Sequence, residues 1–333
     1  MSELRVGLIG AGGISRVHAD AWRALGVRGT VTSLAGAEEI AAEYGFAVAP
    51  DVPSLLAGVD VVDIVTPSGT HPALALAAIA AGAHVVCEKP LAPTAGQAQE
   101  IAAAADAAGV RLFPAHVVRY FPEYARIKAQ LDAGAIGSLA TQRFFRMGSA
   151  PSADWFFRES TGGGVIRDLM IHDIDQALWF AGAVTSVYAV QNPPTVGDVV
   201  PAPVTAQVVL THANGVLSHL QASWVAPGIP FRTSVEVSGS GGRLAYDSGT
   251  DASLLVDAVV TESQDYLPPM SPADSPYFRE IADFVAAIDS GSPARVSGAD
   301  GVAAVAVAEA AYASIASGRP VPLSSVSPSE VSR

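Results

Sequence analysis

Leu4-Arg5-Val6-Gly7-Leu8-Ile9-Gly10-Ala11-Gly12-Gly13-Ile14-Ser15 decides the fold. A short apolar run ends in clustered glycines, and a helical pattern follows from about Ile14 to Leu25. Strand, tight turn and helix, in that order, are the context a dinucleotide fingerprint requires. Gly10 permits the turn, and Gly12 lets the backbone approach a pyrophosphate. Gly13 and Ile14 open the helix, whose free N–H groups and positive dipole end attract an anion. Ser15 stands where a third glycine is usual and is small enough for close helix–strand packing. The competing reading is an ordinary glycine-rich turn without a ligand.

The second strand is expected over about Thr30 to Leu34. NAD enzymes usually end it with Asp or Glu, which bonds the ribose 2′-hydroxyl. Here it ends Thr32-Ser33-Leu34-Ala35-Gly36, and no acid lies between Asp20 and Glu38. Small hydroxyls leave room for a 2′-phosphate, so Thr32 and Ser33 are candidate donors. The cofactor expectation is therefore NAD(P), leaning to NADP. Against that lean, no arginine follows the strand, and Glu38 and Glu39 are near.

Working outward, Val59 to Val65 is an apolar strand broken only by Asp60 and Asp63, and it ends in Thr66-Pro67-Ser68-Gly69-Thr70-His71. A helix over Ala73 to Ala81 follows. Then come a strand over Ala83 to Cys87, the junction Glu88-Lys89-Pro90, and a helix over Thr94 to Ala108. Val110 to Pro114 is one more strand, reaching His116. Strands spaced by helices imply right-handed crossovers and a parallel sheet.

After Arg119 the pattern changes. A helix is predicted over Pro122 to Ala133 and a strand over Ala140 to Met147. A loop with Trp155, Phe156 and Phe157 leads through Gly162-Gly163-Gly164 into a helix from about Val165 to Phe180. Strands then run in series: Ser186 to Val190, Thr205 to Thr211, Gly215 to Trp224, Arg232 to Gly239 and Gly242 to Asp247. Asn214-Gly215 and Gly241-Gly242 read as turns between neighbours. Strands joined without helices are usually antiparallel. Two late helices are expected over Tyr277 to Ile288 and Gly301 to Ser317, and the last dozen residues, rich in Ser and Pro, as loose chain. The expected architecture is an α/β Rossmann domain over residues 1–118. An α+β domain over residues 119–333 follows, with a large, mostly antiparallel open sheet.

Composition excludes some functions. A net charge of −13 argues against nucleic acid, whose phosphates demand basic surface. No apolar run approaches the roughly 18 residues of a membrane span. The chain enters a strand at Leu4 with no signal peptide before it, and its one cysteine, Cys87, forms no internal disulfide. The expected location is the cytoplasm. No His, Cys and Asp cluster has zinc spacing, so no metal is expected.

Asp168 and His172 lie four apart, which puts both on one helix face. They could share a hydrogen bond, point at one ligand, or form a simple surface pair. The three glycines upstream suggest a backbone that folds tightly or meets a ligand closely. Lys89 follows a strongly apolar strand in a chain with few charges. It is a candidate functional cation or a solvated lysine.

Together these segments resemble the Gfo/Idh/MocA oxidoreductases, the glucose–fructose oxidoreductase and inositol dehydrogenase group. The matching stretches are Gly7 to His18, Asp63 to Pro67 with His71, Gly82 to Ala92, and Gly162 to Asp175, in order along the chain. The resemblance implies a Rossmann domain and a second domain whose open sheet builds homodimers or homotetramers. It implies hydride transfer between a nicotinamide and a secondary alcohol or ketone of a sugar, cyclitol or related polyol. It also implies roles. Lys89 would contact the nicotinamide side and polarise the substrate hydroxyl, His172 would be the acid/base, and Asp168 would orient it or bind substrate. Glu88 would hold the nicotinamide ribose, and Thr66, Pro67 and His71 would line the cofactor channel. His116, Arg119, Tyr120 and Trp155 are substrate-side candidates; Arg119 is equally a candidate for a structural ion pair, and Trp155 for a hydrophobic plug. The fold also admits an NAD-dependent glycoside hydrolase or a non-catalytic NAD(P)-binding regulator.

Overall fold

The glycine turn opens a sheet of six short strands. In chain order the elements are β1 (Arg5–Ile9), α1 (Gly13–Ala24), β2 (Arg28–Thr32), α2 (Ala37–Tyr44), β3 (Ala47–Val48), α3 (Val52–Leu56), β4 (Val61–Ile64), α4 (His71–Ala80), β5 (His84–Glu88), α5 (Ala95–Ala108) and β6 (Leu112–Ala115). The strand order is β3-β2-β1-β4-β5-β6, with every neighbour parallel. β4, β5 and β6 are buried along almost their whole length, as strands with both faces covered should be. The order reverses between β1 and β4, where ligands bind outside the carboxyl ends of open α/β sheets. β2 stops at Thr32, two residues short of the sequence expectation, so Ser33 and Leu34 lie beyond it. α2, β3 and α3 occupy a stretch to which the sequence assigns nothing.

The computed structural model describes residues 4–249 and 275–326, in two compact units. One comprises residues 4–121 and 275–302, and the other residues 122–249 and 303–326. A single boundary near residue 118 therefore becomes a return of the chain to its first unit. The cause is a late helix. To number it in order, the intervening elements are α6 (Pro122–Asp132), β7 (Leu139–Ser149), α7 (Ile171–Ala181), β8 (Val184–Asn192), β9 (Val204–His212), β10 (Leu217–Val225), β11 (Arg232–Gly239) and β12 (Gly242–Asp247). The late helix is α8 (Pro276–Ser290), and it packs on α1. Its apolar stripe puts Ile281, Phe284 and Ala287 into one cluster with Trp22, Val86 and Phe113. The Phe284 ring stacks on Phe113 at 4.7 Å and meets Tyr120 edge-on at 6.2 Å.

The second unit is built on a seven-stranded sheet in the order β12-β11-β7-β10-β9-β8-β13, closed at one edge by β13 (Val321–Val326). All neighbours are antiparallel except β7 and β10. The exception follows from connectivity. β9 and β10 form a hairpin through Asn214-Gly215, and the chain then passes over β7 to place β11 on its far side. Ser240-Gly241 turns β11 into β12. One face of the sheet is buried, by Phe144, Val208, Leu220, Trp224 and Val235 among others; on the opposite face Tyr188, Val190 and Leu217 are exposed. β13 corrects part of the expected loose terminus, because residues 321 and 322 pair with Val187 and Ser186 of β8. Residues 327–333 lie outside the described residues.

α9 (Gly298–Ser317) corrects another expectation. It is long and apolar enough to cross a membrane, but 72% of that window is buried, as in the core helix of a globular protein.

Because Phe284 is fully buried between two aromatic rings, Phe284→Ala should lower unfolding free energy by about 3–5 kcal/mol. Urea unfolding followed by Trp fluorescence measures this.

Candidate active site

Gly10 ends β1 with φ +117°, and a Cβ there would lie 2.9 Å from the Val65 carbonyl oxygen. Its N–H donates to the Thr32 carbonyl at 2.9 Å. No residue but glycine fits there without strain. Gly12 and Gly13 are different, because a Cβ on either would enter open space. Gly12 caps α1, no side chain satisfies the cap, and the first turn holds no acid. Ser15 is buried, with its hydroxyl donating to the Gly12 carbonyl. Open space, free amides and the positive end of a 12-residue helix fit the pyrophosphate of a dinucleotide. At the end of β2, Thr32 is buried, Ser33 half-buried and Leu34 fully exposed. Leu34, passed over in the sequence, stands in the region where an NAD-type acid is usual.

At the end of β4, Thr66 and Thr70 share a hydroxyl hydrogen bond of 2.7 Å, and Thr70 donates to the Pro67 carbonyl at 2.8 Å. Pro67 is exposed. His71, the first residue of α4, is completely buried. Its Nδ1 lies 2.8 Å from the Pro90 carbonyl and its Nε2 2.8 Å from the Thr66 carbonyl. It therefore bridges the ends of β4 and β5. Burial pushes this imidazole below its usual range, against the pull of the two carbonyls. A neutral ring donates to one of the two carbonyls, and its tautomer decides which.

Glu88 ends β5 almost fully buried. One oxygen accepts the Lys89 backbone N–H at 2.9 Å, and the other lies 3.3 Å from His18 Nε2. Lys89 is half-buried. Burial opposes ionisation of Glu88, but His18 and Lys89 outweigh it and hold the carboxyl below its usual range. Burial also pushes the neighbouring Cys87 thiol far up, leaving it inert. His18 and its partner Asp63 are missing from the sequence candidates. The available signal was Asp63 itself, an acid inside an otherwise apolar strand.

In the segment after β6, Arg119 and Tyr120 are held by internal partners. Arg119 is 2% exposed; it pairs with Asp300 at 2.9 Å and donates to the Arg295 carbonyl at 3.0 Å. The Tyr120 hydroxyl donates to Asp283 at 2.7 Å, and the Arg295 guanidinium lies over its ring at 4.6 Å. Both residues fasten the first unit's late segment, which favours the structural reading over a substrate contact. His116 is buried at the end of β6.

In the second unit, the three glycines meet protein rather than an open site. A Cβ on Gly162 would lie 2.4 Å from the Trp155 carbonyl oxygen, and one on Gly164 would lie 2.5 Å from Val200. Gly163 and Gly164 both have positive φ, and the Tyr312 hydroxyl donates to the Gly163 carbonyl. Trp155 is half-buried and stacks on Phe156 at 3.7 Å. The glycines then lead not into one α-helix but into a π-helical turn, Ile166–Met170, followed by α7 from Ile171. This corrects the simple α-helical spacing of Asp168 and His172; such turns are frequent at functional sites. Asp168 is buried in the π turn, and His172 is half-buried in the first turn of α7. Next to His172, the fully buried Asp173 receives two hydrogen bonds from Arg146 of β7, at 2.7 and 3.0 Å. Burial holds the Asp173 carboxyl above its usual range, and Arg146 offsets only part of the rise. The pair pins α7 to the sheet directly behind His172.

No group of three or more His, Cys, Asp or Glu among the described residues is arranged to hold a metal ion. Residues 4–116 match a model described as the oxidoreductase family, NAD-binding Rossmann fold. Residues 124–245 match the GFO/IDH/MocA C-terminal domain. An inositol 2-dehydrogenase of Rhizobium meliloti is 31% identical over 96% of this chain and 98% of its own. The crystal structure of GenD2 from gentamicin A biosynthesis, in complex with NAD, superposes with a TM-score of 0.85 at 30% identity, covering 97% of each chain. Levoglucosan dehydrogenase in complex with NADH and levoglucosan gives a TM-score of 0.82 at 25% identity, covering 96% of this chain and 99% of the other. The chain belongs to the Gfo/Idh/MocA family of oxidoreductases and is a dehydrogenase with an NAD-binding Rossmann domain.

Proposed function

We propose that the protein interconverts a secondary alcohol and a ketone on a sugar, cyclitol or related polyol. The observation that carries this reading is the open, uncapped amino end of α1 at Gly12-Gly13, at the sheet's switch point, with Glu88 and Lys89 ending a strand of the same edge. Relatives named for inositol and levoglucosan support the substrate class. The nicotinamide, when bound, accepts or returns the hydride.

The chain supplies the rest. Gly10, Gly12, Gly13 and Ile14 cradle the pyrophosphate, and Thr66, Pro67 and His71 line the channel. A carboxylate has about four lone-pair sites, so Glu88 keeps acceptor capacity for a ribose hydroxyl beyond its two internal contacts. Lys89 stabilises the developing alkoxide with its positive charge, or polarises the carbonyl in the reverse direction. His172 takes the hydroxyl proton as a neutral imidazole and returns it in reduction. Asp168 orients His172 or binds a substrate hydroxyl. Trp155 offers a half-buried aromatic face to a sugar, and His116 is a further substrate-side candidate.

Within NAD(P), the lean is to NADP. It is supported by the missing acid after Thr32 and by Ser33, the more accessible hydroxyl. A homodimer or homotetramer is proposed through the half-exposed sheet face that carries Tyr188, Val190 and Leu217. A cytoplasmic location is proposed from the free, buried Cys87.

Lys89→Ala and His172→Ala should each lower kcat by about 100-fold or more while cofactor affinity stays near wild type. Steady-state rates on a panel of sugars, inositols and sugar acids, with fluorescence titration of the cofactor, check this; near-normal turnover in both variants refutes the roles. The same titration should give tighter binding of NADPH than NADH, and clearly tighter NADH removes the NADP lean.

A further inference from the structure

His18 lies on α1, completely buried, outside every role assigned so far. Its Nδ1 is 2.9 Å from Asp63 Oδ2, and its Nε2 is 3.3 Å from Glu88 Oε1. Asp63, also completely buried, takes the Trp22 indole N–H at 2.7 Å on the same oxygen. An ionised carboxylate only accepts hydrogen bonds. A ring nitrogen facing such an oxygen must therefore carry hydrogen, and here both do. The ring is an imidazolium between two carboxylates.

We propose that His18 is a positioning residue for the reaction: held by Asp63, its charge fixes the Glu88 carboxylate, which in turn fixes the backbone of Lys89. The second Glu88 oxygen accepts the Lys89 N–H at 2.9 Å, so the chain of contacts ends on the residue proposed to polarise the substrate. The inference rests on the dehydrogenase reading for what Lys89 does there.

Charge arithmetic supports the assignment. Asp63 and Glu88 bring two negative charges into a buried space, and His18 and Lys89 bring two positive ones. The other groups facing the cluster are Tyr277 of α8, whose ring centroid is 6.2 Å from that of His18, the Cys87 thiol of β5, and His71, which feels both Glu88 and Lys89. Burial works against the charged ring, but the two carboxylates outweigh it and hold His18 well above its usual range. Its stabilising contribution is thus complete below the unfolded value of about 6.5 and is lost only as pH rises through the higher folded value. Across neutral pH the contacts persist. A neutral residue at position 18 leaves two buried carboxylates against one cation, and Glu88 then relieves the imbalance by taking a proton or turning toward water. In either case the acceptor for the Lys89 N–H is weakened.

The test starts without substrate or cofactor. Long-range 1H–15N NMR of the whole protein, with His18→Gln to assign the ring, should show both His18 nitrogens protonated from about pH 6 to about pH 8. A neutral ring in that range overturns the proposal. Hydrogen exchange at the Lys89 amide should be at least about tenfold faster in His18→Gln and in Glu88→Gln, reflecting loss of one charge-assisted bond. Unchanged exchange in folded variants overturns it. In turnover, His18→Gln should lower kcat with little change in substrate KM and shift the pH profile. Adding Glu88→Gln should cost far less than in the wild-type background. An unshifted profile or full additivity overturns the relay. Should His18→Gln not fold, the wild-type spectrum and Glu88→Gln still decide. A wild-type protein inactive on every polyol, with the NMR as expected, would count against the proposed polyol reaction alone.

Discussion

Three strand ends meet at one atom that is not there. The absent Cβ of Gly10 leaves room for the Val65 carbonyl, and the Gly10 N–H ties β1 to the end of β2. β1 can then stop where β4 also stops, and the chain can turn directly into α1. The open amides at Gly12-Gly13, the reversal of strand order and the crevice between β1 and β4 all follow from that turn. A side chain at Gly10 would force the carbonyl aside and shift the helix whose amino end makes the site.

Beneath this turn, the protein spends buried charge where a simple core would use apolar side chains. His18, Asp63 and Glu88 lie below the first unit's candidate site, and Arg146 and Asp173 lie behind His172 in the second. Buried ion pairs are poor sources of stability, because desolvation offsets most of their attraction, whereas breaking one costs about 3–5 kcal/mol. Their value is geometric: each ties a helix to a strand at one register. Elsewhere in the second unit a neutral network does similar work. Gln142 donates to Ser218 at 2.7 Å and to the Ala177 carbonyl at 3.0 Å, while His212 lies 2.6 Å from Ser218. The end of α7 is thereby joined to β7, β9 and β10.

The parts of this design legible in the sequence were those written in local pattern. Glycines after an apolar run gave the turn, alternating strands and helices gave the parallel sheet, and Asn214-Gly215 gave a hairpin. The parallel pairing of β7 and β10 was hidden, because no local signal says which neighbour a strand chooses after a long crossing. The return of α8 was hidden for the same reason: its apolar stripe shows that it is buried, not against what. The π turn at Asp168 follows Gly163 and Gly164, both in the left-handed region, and the Gly163 carbonyl is held by Tyr312, more than a hundred residues away. Arg119 shows the limit most plainly. Its position after β6 suited a ligand, and only the arrival of Asp300 and Arg295 shows it holding the chain to itself.

The return of α8 also bears on how the protein is made. A ribosome delivers the whole first sheet by Ala115, yet Trp22 and Phe113 then lack the cover that Ile281, Phe284 and Val296 bring. The nascent nucleotide-binding unit must therefore wait, with an apolar surface uncovered, while β7 to β12 of the second sheet are synthesised. Growing chains are vulnerable to misassembly during such an interval. The two units thus have a fixed order of completion: α8 covers the first before β13 arrives to close the edge of the second.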